Sequence, residues 1–178
     1  MTLTTRSPIR HMMRAAFFTI ALSAPALCQT MVPLVPEPIS LSGPRFGTTF
    51  LSPGVVEKIK EKRVDVGSWV TQFGWQFENR FKTGDNGLTA LNEWVVLVGG
   101  LEQGVVLPSV SWMVGIRTGT GVEFGVGPNI TPAGVALAAA AGVTFRKGAL
   151  NVPVNLAVVP SKSGVRVSLL TGFNMRRE

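Results

Sequence analysis

Trp69-Val70-Thr71-Gln72-Phe73-Gly74-Trp75-Gln76-Phe77-Glu78-Asn79-Arg80-Phe81 decides the fold. Its odd positions carry Trp69, Phe73, Trp75, Phe77 and Phe81, while its even positions carry Val70, Gln72, Gly74, Gln76, Glu78 and Arg80. A period of two gives a strand with one greasy and one wet face; a helix would scatter both sets around its circumference. Gly84-Asp85-Asn86-Gly87 follows, with residues that tolerate positive φ, and predicts a tight reversal.

The alternation recurs on both sides of this stretch. Leu88 to Leu101 places Trp94, Val96 and Val98 opposite Glu93, Val95 and Leu97. From Val106 to Arg117 the alternate residues are Val110, Trp112, Val114 and Ile116 against Ser109, Ser111, Met113 and Gly115, and Thr118 to Gly121 turns the chain. Val122, Phe124 and Val126 begin another strand, which Pro128-Asn129-Ile130-Thr131-Pro132 is expected to end in a loop. Residues 134 to 146 pass through an alanine run, but flanking Gly134 and Gly142 and the β-branched Val143-Thr144 favour a strand. Asn151 to Val159 and Val165 to Met175 close the series, and Arg45 to Leu51 precedes it.

One segment differs. Ser52-Pro53-Gly54-Val55-Val56-Glu57-Lys58-Ile59-Lys60-Glu61-Lys62 has a capping serine, a proline at the first helical position and an apolar side of Val55, Val56 and Ile59. It reads as a short surface helix connecting the first two strands. The expected fold is therefore all-β: about eight antiparallel strands in an up-and-down β-barrel, with one short helix after the first strand. Closure removes the exposed edges that eight short-turned strands would otherwise present. Pro108 and Pro153 each remove a ladder donor, so they require strand ends, bulges or an imperfect seam.

The chain has 178 residues, 46% of them hydrophobic and 15% charged, which is too apolar for a disordered protein. Arg6, Arg10 and Arg14 precede the apolar run Ala15 to Ala24, and small residues around Ala26 lead to a cleavage expected between Cys28 and Gln29. Residues 1–28 are thus read as a signal peptide, 29–41 as a Pro-rich tether and 42–178 as the barrel domain. A lipid-acceptor role for Cys28 is the rival reading, disfavoured because Leu27 stands where a small residue is needed. Cleavage removes the one His and the one Cys, and lowers 17 basic residues to 14 against 10 acidic ones. No basic cluster stands out beyond Lys58-x-Lys60-x-Lys62-Arg63, so nucleic acid is not an expected partner.

The wet faces hold Gln, Ser, Gly and Ala at mid-strand, with Arg117, Glu123, Arg146, Arg166 and Arg176 near strand ends. That suggests a narrow lumen of small neutral groups with charges ringing the rims. Trp69, Phe73, Trp75, Phe77, Phe81, Trp94 and Trp112 are then the candidate lipid-facing aromatics, and Gln72, Gln76, Glu78, Arg80 and Glu93 a candidate interior polar network. In Phe124-Gly125-Val126-Gly127-Pro128-Asn129 and the closing Gly164-Val165-Arg166-Val167-Ser168-Leu169-Leu170-Thr171-Gly172-Phe173-Asn174 the chain resembles small outer-membrane β-barrel proteins of Gram-negative bacteria. The resemblance implies residence in the outer membrane, contact with its lipid and insertion by the barrel-assembly machinery. It implies no particular activity.

Without histidine or cysteine in the processed chain, a Ser-His-Asp triad, a thiol nucleophile and a histidine-bearing zinc site are excluded, and no catalytic residue, cofactor or metal is expected. A four-residue turn at Gly84 to Gly87 would set Glu78 opposite Glu93, with Arg80 one diagonal away. This trio reads as a salt-bridge network rather than an acid/base pair, because unpaired buried charge is expensive. Gly119-Thr120-Gly121 and Gly125-Val126-Gly127 lack the helix that a phosphate-cradling loop needs, and read as turn and close-packing glycines. The expected function is a non-enzymatic outer-membrane barrel with an envelope-structural, surface-interaction or minor solute-passage role. The alternative is a soluble exported barrel whose aromatic face turns inward around an apolar ligand.

Overall fold

A computed structural model describes residues 41–84 and 87–175. The signal, its cleavage site at Cys28 and Gln29, and the tether up to residue 40 lie outside them. Eight strands form the barrel: β1 (Gly43–Leu51), β2 (Trp69–Thr83), β3 (Thr89–Gly99), β4 (Leu107–Arg117), β5 (Val122–Thr131), β6 (Gly134–Lys147), β7 (Leu150–Ser161) and β8 (Gly164–Gly172). Each pairs antiparallel with its neighbour in sequence, and β1 pairs with β8, so the sheet closes on itself as an up-and-down barrel. A two-residue β9 (Asn174–Met175) continues the line of β8 along β7. A short helix, α1 (Pro53–Lys60), and a 3-10 turn, η1 (Leu101–Gln103), occupy the end of the barrel where β1 finishes and β2 begins.

The two prolines that threatened the ladder sit where a missing N–H is tolerated. Pro108 is the second residue of β4, and Pro153 lies where β7 passes the break between β8 and β9. The loop expected over Pro128 to Pro132 is not present: β5 runs on to Thr131. Pro128 and Asn129 stay paired with Leu137 and Ala136 of β6, while the β4 ladder skips Gly127 and Pro128. Gly127 is what permits this passage, since a Cβ there would overlap the carbonyl oxygen of Trp112.

The turn after β2 also differs from the four-residue reading. Five residues separate the strands, and a bulge between Arg80 and Lys82 takes up the extra one, so Glu78 still stands opposite Glu93. Ser52 does not cap α1 through its side chain; its Oγ instead accepts the Val165 N–H at 2.9 Å, tying the helix entrance to β8.

α1 is more than a surface connector. Val55 and Ile59 are buried in one cluster with Leu51, Val66, Val70 and Leu107, so the apolar side of the helix caps the barrel mouth. At the opposite end Leu41 is buried and its carbonyl accepts from Arg45 Nη2 at 2.7 Å, which makes Leu41 part of the barrel rather than of the tether.

Candidate functional site: the barrel lumen

The eight strands sort their side chains by parity. Outward positions, taking alternate residues of Phe46–Phe50, Trp69–Phe81, Ala90–Val98, Pro108–Ile116, Val122–Ile130, Val135–Phe145, Val152–Pro160 and Val165–Phe173, contain no charged residue. All seven aromatics singled out from the sequence are on this outer wall, from Trp112 at 42% exposed to Trp69 and Phe81 at 64%. Phe77, Trp94 and Trp112 lie side by side across β2, β3 and β4, with the two indoles stacked at 6.2 Å.

The only polar outward side chains in these stretches are Thr48, Thr71, Asn79, Asn92 and Thr171. Thr48 donates to the Val70 carbonyl and Thr171 to the Pro153 carbonyl, at 3.3 and 3.0 Å. Asn92 Oδ1 accepts the Trp112 indole N–H at 2.6 Å. Thr71 donates through its backbone N–H and its hydroxyl to Glu102 of η1, at 2.9 and 2.5 Å. The Thr71 hydroxyl bond, more than any other contact, holds the Glu102 carboxyl well below its usual range, at about 2.

Inside, the five residues proposed as a polar network are brought together with others that sequence reasoning left at the rims. Arg117 is the hub. Its Nη1 and Nη2 grip both oxygens of Glu78 at 2.8 and 2.7 Å, and its Nε and Nη2 donate to Glu123 Oε2 at 2.8 and 2.6 Å. Glu93 approaches the same guanidinium at 3.6 Å and accepts from Gln76 Nε2 at 2.8 Å. Gln76 Oε1 in turn accepts from Arg45 Nε at 2.9 Å, Arg80 lies 3.9 Å from Glu78, and Asn155 donates to Glu123 at 2.6 Å. Gln72 belongs to a neighbouring chain of bonds: it accepts the Thr49 hydroxyl at 2.7 Å, and Thr49 shares a 2.7 Å contact with Ser168.

The expectation of a neutral lumen with charged rims is therefore corrected. Arg117 and Glu123 are buried, as are Glu78 and Arg45. The physical reason is length and pairing: a guanidinium rooted at the end of β4 reaches back down the lumen, and three carboxylates from β2, β3 and β5 offset its desolvation. Strand parity could have found Arg117 and Glu123, which fall on the inward set of β4 and β5. Arg45 and Asn155 follow the same rule on β1 and β7.

A cavity of about 110 Å³ runs through the lumen from this charged layer, where Arg45, Gln76, Glu93 and Glu123 border it, to α1. Ser109, Ser111, Ala138, Ala140 and Ala157 line its walls, Leu51, Ile59, Val70 and Leu107 its α1 side, and Arg166 also borders it. Among the described residues no group of three or more His, Cys, Asp or Glu is arranged to hold a metal ion. Glu78 and Glu93 do face each other across β2 and β3, but Glu78 has both oxygens occupied by Arg117. No family model, curated protein or solved structure matches this chain.

Proposed function

We propose that the chain is a non-enzymatic β-barrel of the bacterial outer membrane, serving envelope structure, surface interaction or limited passage of small solutes. The observation that carries this reading is the inverted partition of the barrel. Aromatic and aliphatic side chains cover the outside with no charge between the rims, and the ionised groups are inside. An apolar outer surface of that extent has no stable contact with water, whereas it suits hydrocarbon.

Strand length agrees. The 11 residues of β3 or β4 extend about 36 Å at roughly 3.3 Å each, and a tilt near 40° reduces this to about 28 Å, the thickness of a bilayer core. Short turns at 84–88, 118–121 and 148–149 occupy the end where β1 starts and β8 finishes; the other end carries the two long connections, 52–68 and 100–106, together with the two-residue turns 132–133 and 162–163. By the usual asymmetry of such barrels, the α1 end is the one that faces outward from the cell. The lumen supports a structural or narrow role, because α1 covers one mouth and the ion network fills the other half. The pairing of Glu78 with Arg117 favours a structural use of the carboxylates over acid/base catalysis.

Cell fractionation with gel electrophoresis tests the proposal. The protein should require detergent for extraction and migrate faster before boiling than after it. Recovery in the soluble periplasmic or secreted fraction would overturn it in favour of an exported ligand-binding barrel.

A further inference from the structure

Arg166 is the least satisfied guanidinium of the lumen: Arg45 also forms no salt bridge with a described residue, but it donates to Gln76 Oε1 and to the carbonyls of Pro44 and Leu41, whereas Arg166 has one such bond. It projects inward from β8, is only 6% exposed, and forms no salt bridge with any described residue. Its Nη1 crosses to Thr131 of β5, a neutral hydroxyl, at 2.5 Å, and its buried Nε has no hydrogen-bond partner. The acidic residues at that end of the barrel, Glu57, Glu61, Asp65 and Glu102, are all exposed on the connections outside the mouth. A guanidinium held out of water without a counter-charge is costly, and such sites are relieved by an anion.

The surroundings say what kind of anion. Asn129, two residues before Thr131 on β5, donates through Nδ2 to both Ser109 Oγ and Ser111 Oγ, at 2.9 and 2.8 Å. Those hydroxyls act as acceptors there, which leaves their own protons to donate beside Arg166. Leu51, Ile59, Val70, Leu107 and Val159 give the same cavity an apolar wall, Thr49, Gln72 and Ser168 add neutral polar groups to it, and Glu93 and Glu123 line it on the side of the ion network. A phosphate dianion would face Glu93 and Glu123 in the same cavity and lose hydration against its apolar wall. A carboxylate needs fewer donors and brings an apolar chain that the wall accommodates.

We propose that the α1-side half of the lumen binds a short-chain monocarboxylate, its carboxylate held by Arg166 with Ser109 and Ser111 and its hydrocarbon part against Leu51, Ile59, Val70, Leu107 and Val159. The cavity, about 110 Å³ over its whole length, is smaller than the roughly 150 Å³ that accommodates benzene, so it admits an acid of at most about four carbons. The site goes beyond the membrane reading and does not depend on it, since it concerns only the lumen.

The test is calorimetric titration of the full chain, folded in nonionic detergent micelles, with butyrate, its neutral isostere butyramide, chloride and inorganic phosphate. Butyrate should bind saturably, butyramide should not, and neither chloride nor phosphate at equal concentration should displace butyrate. Arg166→Met should weaken butyrate by at least about tenfold, the loss expected for a charge-assisted contact. Should that variant fail to fold, Ser109→Ala/Ser111→Ala provides the second reading and should weaken butyrate severalfold. Absence of butyrate binding, equal binding of butyramide, displacement by chloride or phosphate, or unchanged affinity in Arg166→Met would each overturn the assignment.

Discussion

Replacing Arg117 by alanine tests the ion network at its hub. In the native lumen this guanidinium donates four hydrogen bonds of 2.6 to 2.8 Å, two to Glu78 and two to Glu123, and stands 3.6 Å from Glu93. Its removal leaves Glu78 with Arg80 at 3.9 Å as its remaining cation and leaves Glu123 with the Asn155 amide. The buried Glu78 and Glu123 and the half-buried Glu93 then share a lumen that had been arranged around one more positive charge. Breaking a buried pair in this way costs about 3–5 kcal/mol, far above the roughly 0–1 kcal/mol of an exposed pair. The assay is reversible urea unfolding in detergent or lipid at neutral pH, followed by tryptophan emission. Neutralising the stranded acids should recover most of the loss, so Arg117→Ala with Glu78→Gln and Glu123→Gln should be more stable than Arg117→Ala alone. A single variant within about 1 kcal/mol of the parent, or a triple variant worse than the single, would refute the account of the lumen.

Other consequences are separable. Leu156→Arg, on the outer wall of β7 with its side chain 49% exposed, should cost about 2–4 kcal/mol for a barrel folded in a bilayer and almost nothing for one in water, as unfolding in lipid vesicles would read. Gly127→Ala should destabilise the β4–β5 seam by about 1–3 kcal/mol, measured by the urea midpoint, because its Cβ would overlap the Trp112 carbonyl oxygen. Val55→Asp should loosen the cap at the α1 end and expose that segment to limited proteolysis, since Val55 is fully buried in the mouth. Glu102 has its folded pKa depressed from 4.5 to about 2 by the Thr71 hydrogen bonds, so its contribution is present above pH 4.5 and fades as pH falls toward 2. The stability difference between the parent and Glu102→Gln should therefore narrow over that interval, and a difference that widened there would contradict the assignment.

What was legible in the sequence was what period two can encode. The aromatic face of β2 announced both a strand and its outward side, and the number of alternating runs announced closure. Even the Glu78–Glu93 pairing could be read, although for an incomplete reason: the turn is one residue longer than Gly84–Gly87 implies, and the bulge at Arg80/Lys82 absorbs the difference. The misreadings share a cause, which is that local chemistry was allowed to outvote a distant partner. Pro128 looked like a strand terminator, yet β6 keeps that stretch of β5 in the sheet. Ser52 looked like a helix cap, yet β8 uses its hydroxyl. The apolar stripe of α1 did not say what it would cover, because the barrel mouth beneath it is assembled from β1, β2 and β4.

The two halves of the lumen deal differently with buried charge, and this difference separates architecture from candidate function. Toward the short-turn end, Glu78, Glu93 and Glu123 surround Arg117, with Arg45 and Arg80 nearby, so the charges answer one another within the protein. A network closed in that way holds strands together and has little left to offer a ligand. Toward α1, the serines and threonines are partly committed and Arg166 pairs with no carboxylate among the described residues, although hydrophobic side chains could have filled the same space at less cost. Packing alone gives no reason for a cation at that position on β8. A bound anion does, and it also explains why the cation lies beneath a helix that shields the mouth instead of at the open rim, where water would satisfy it.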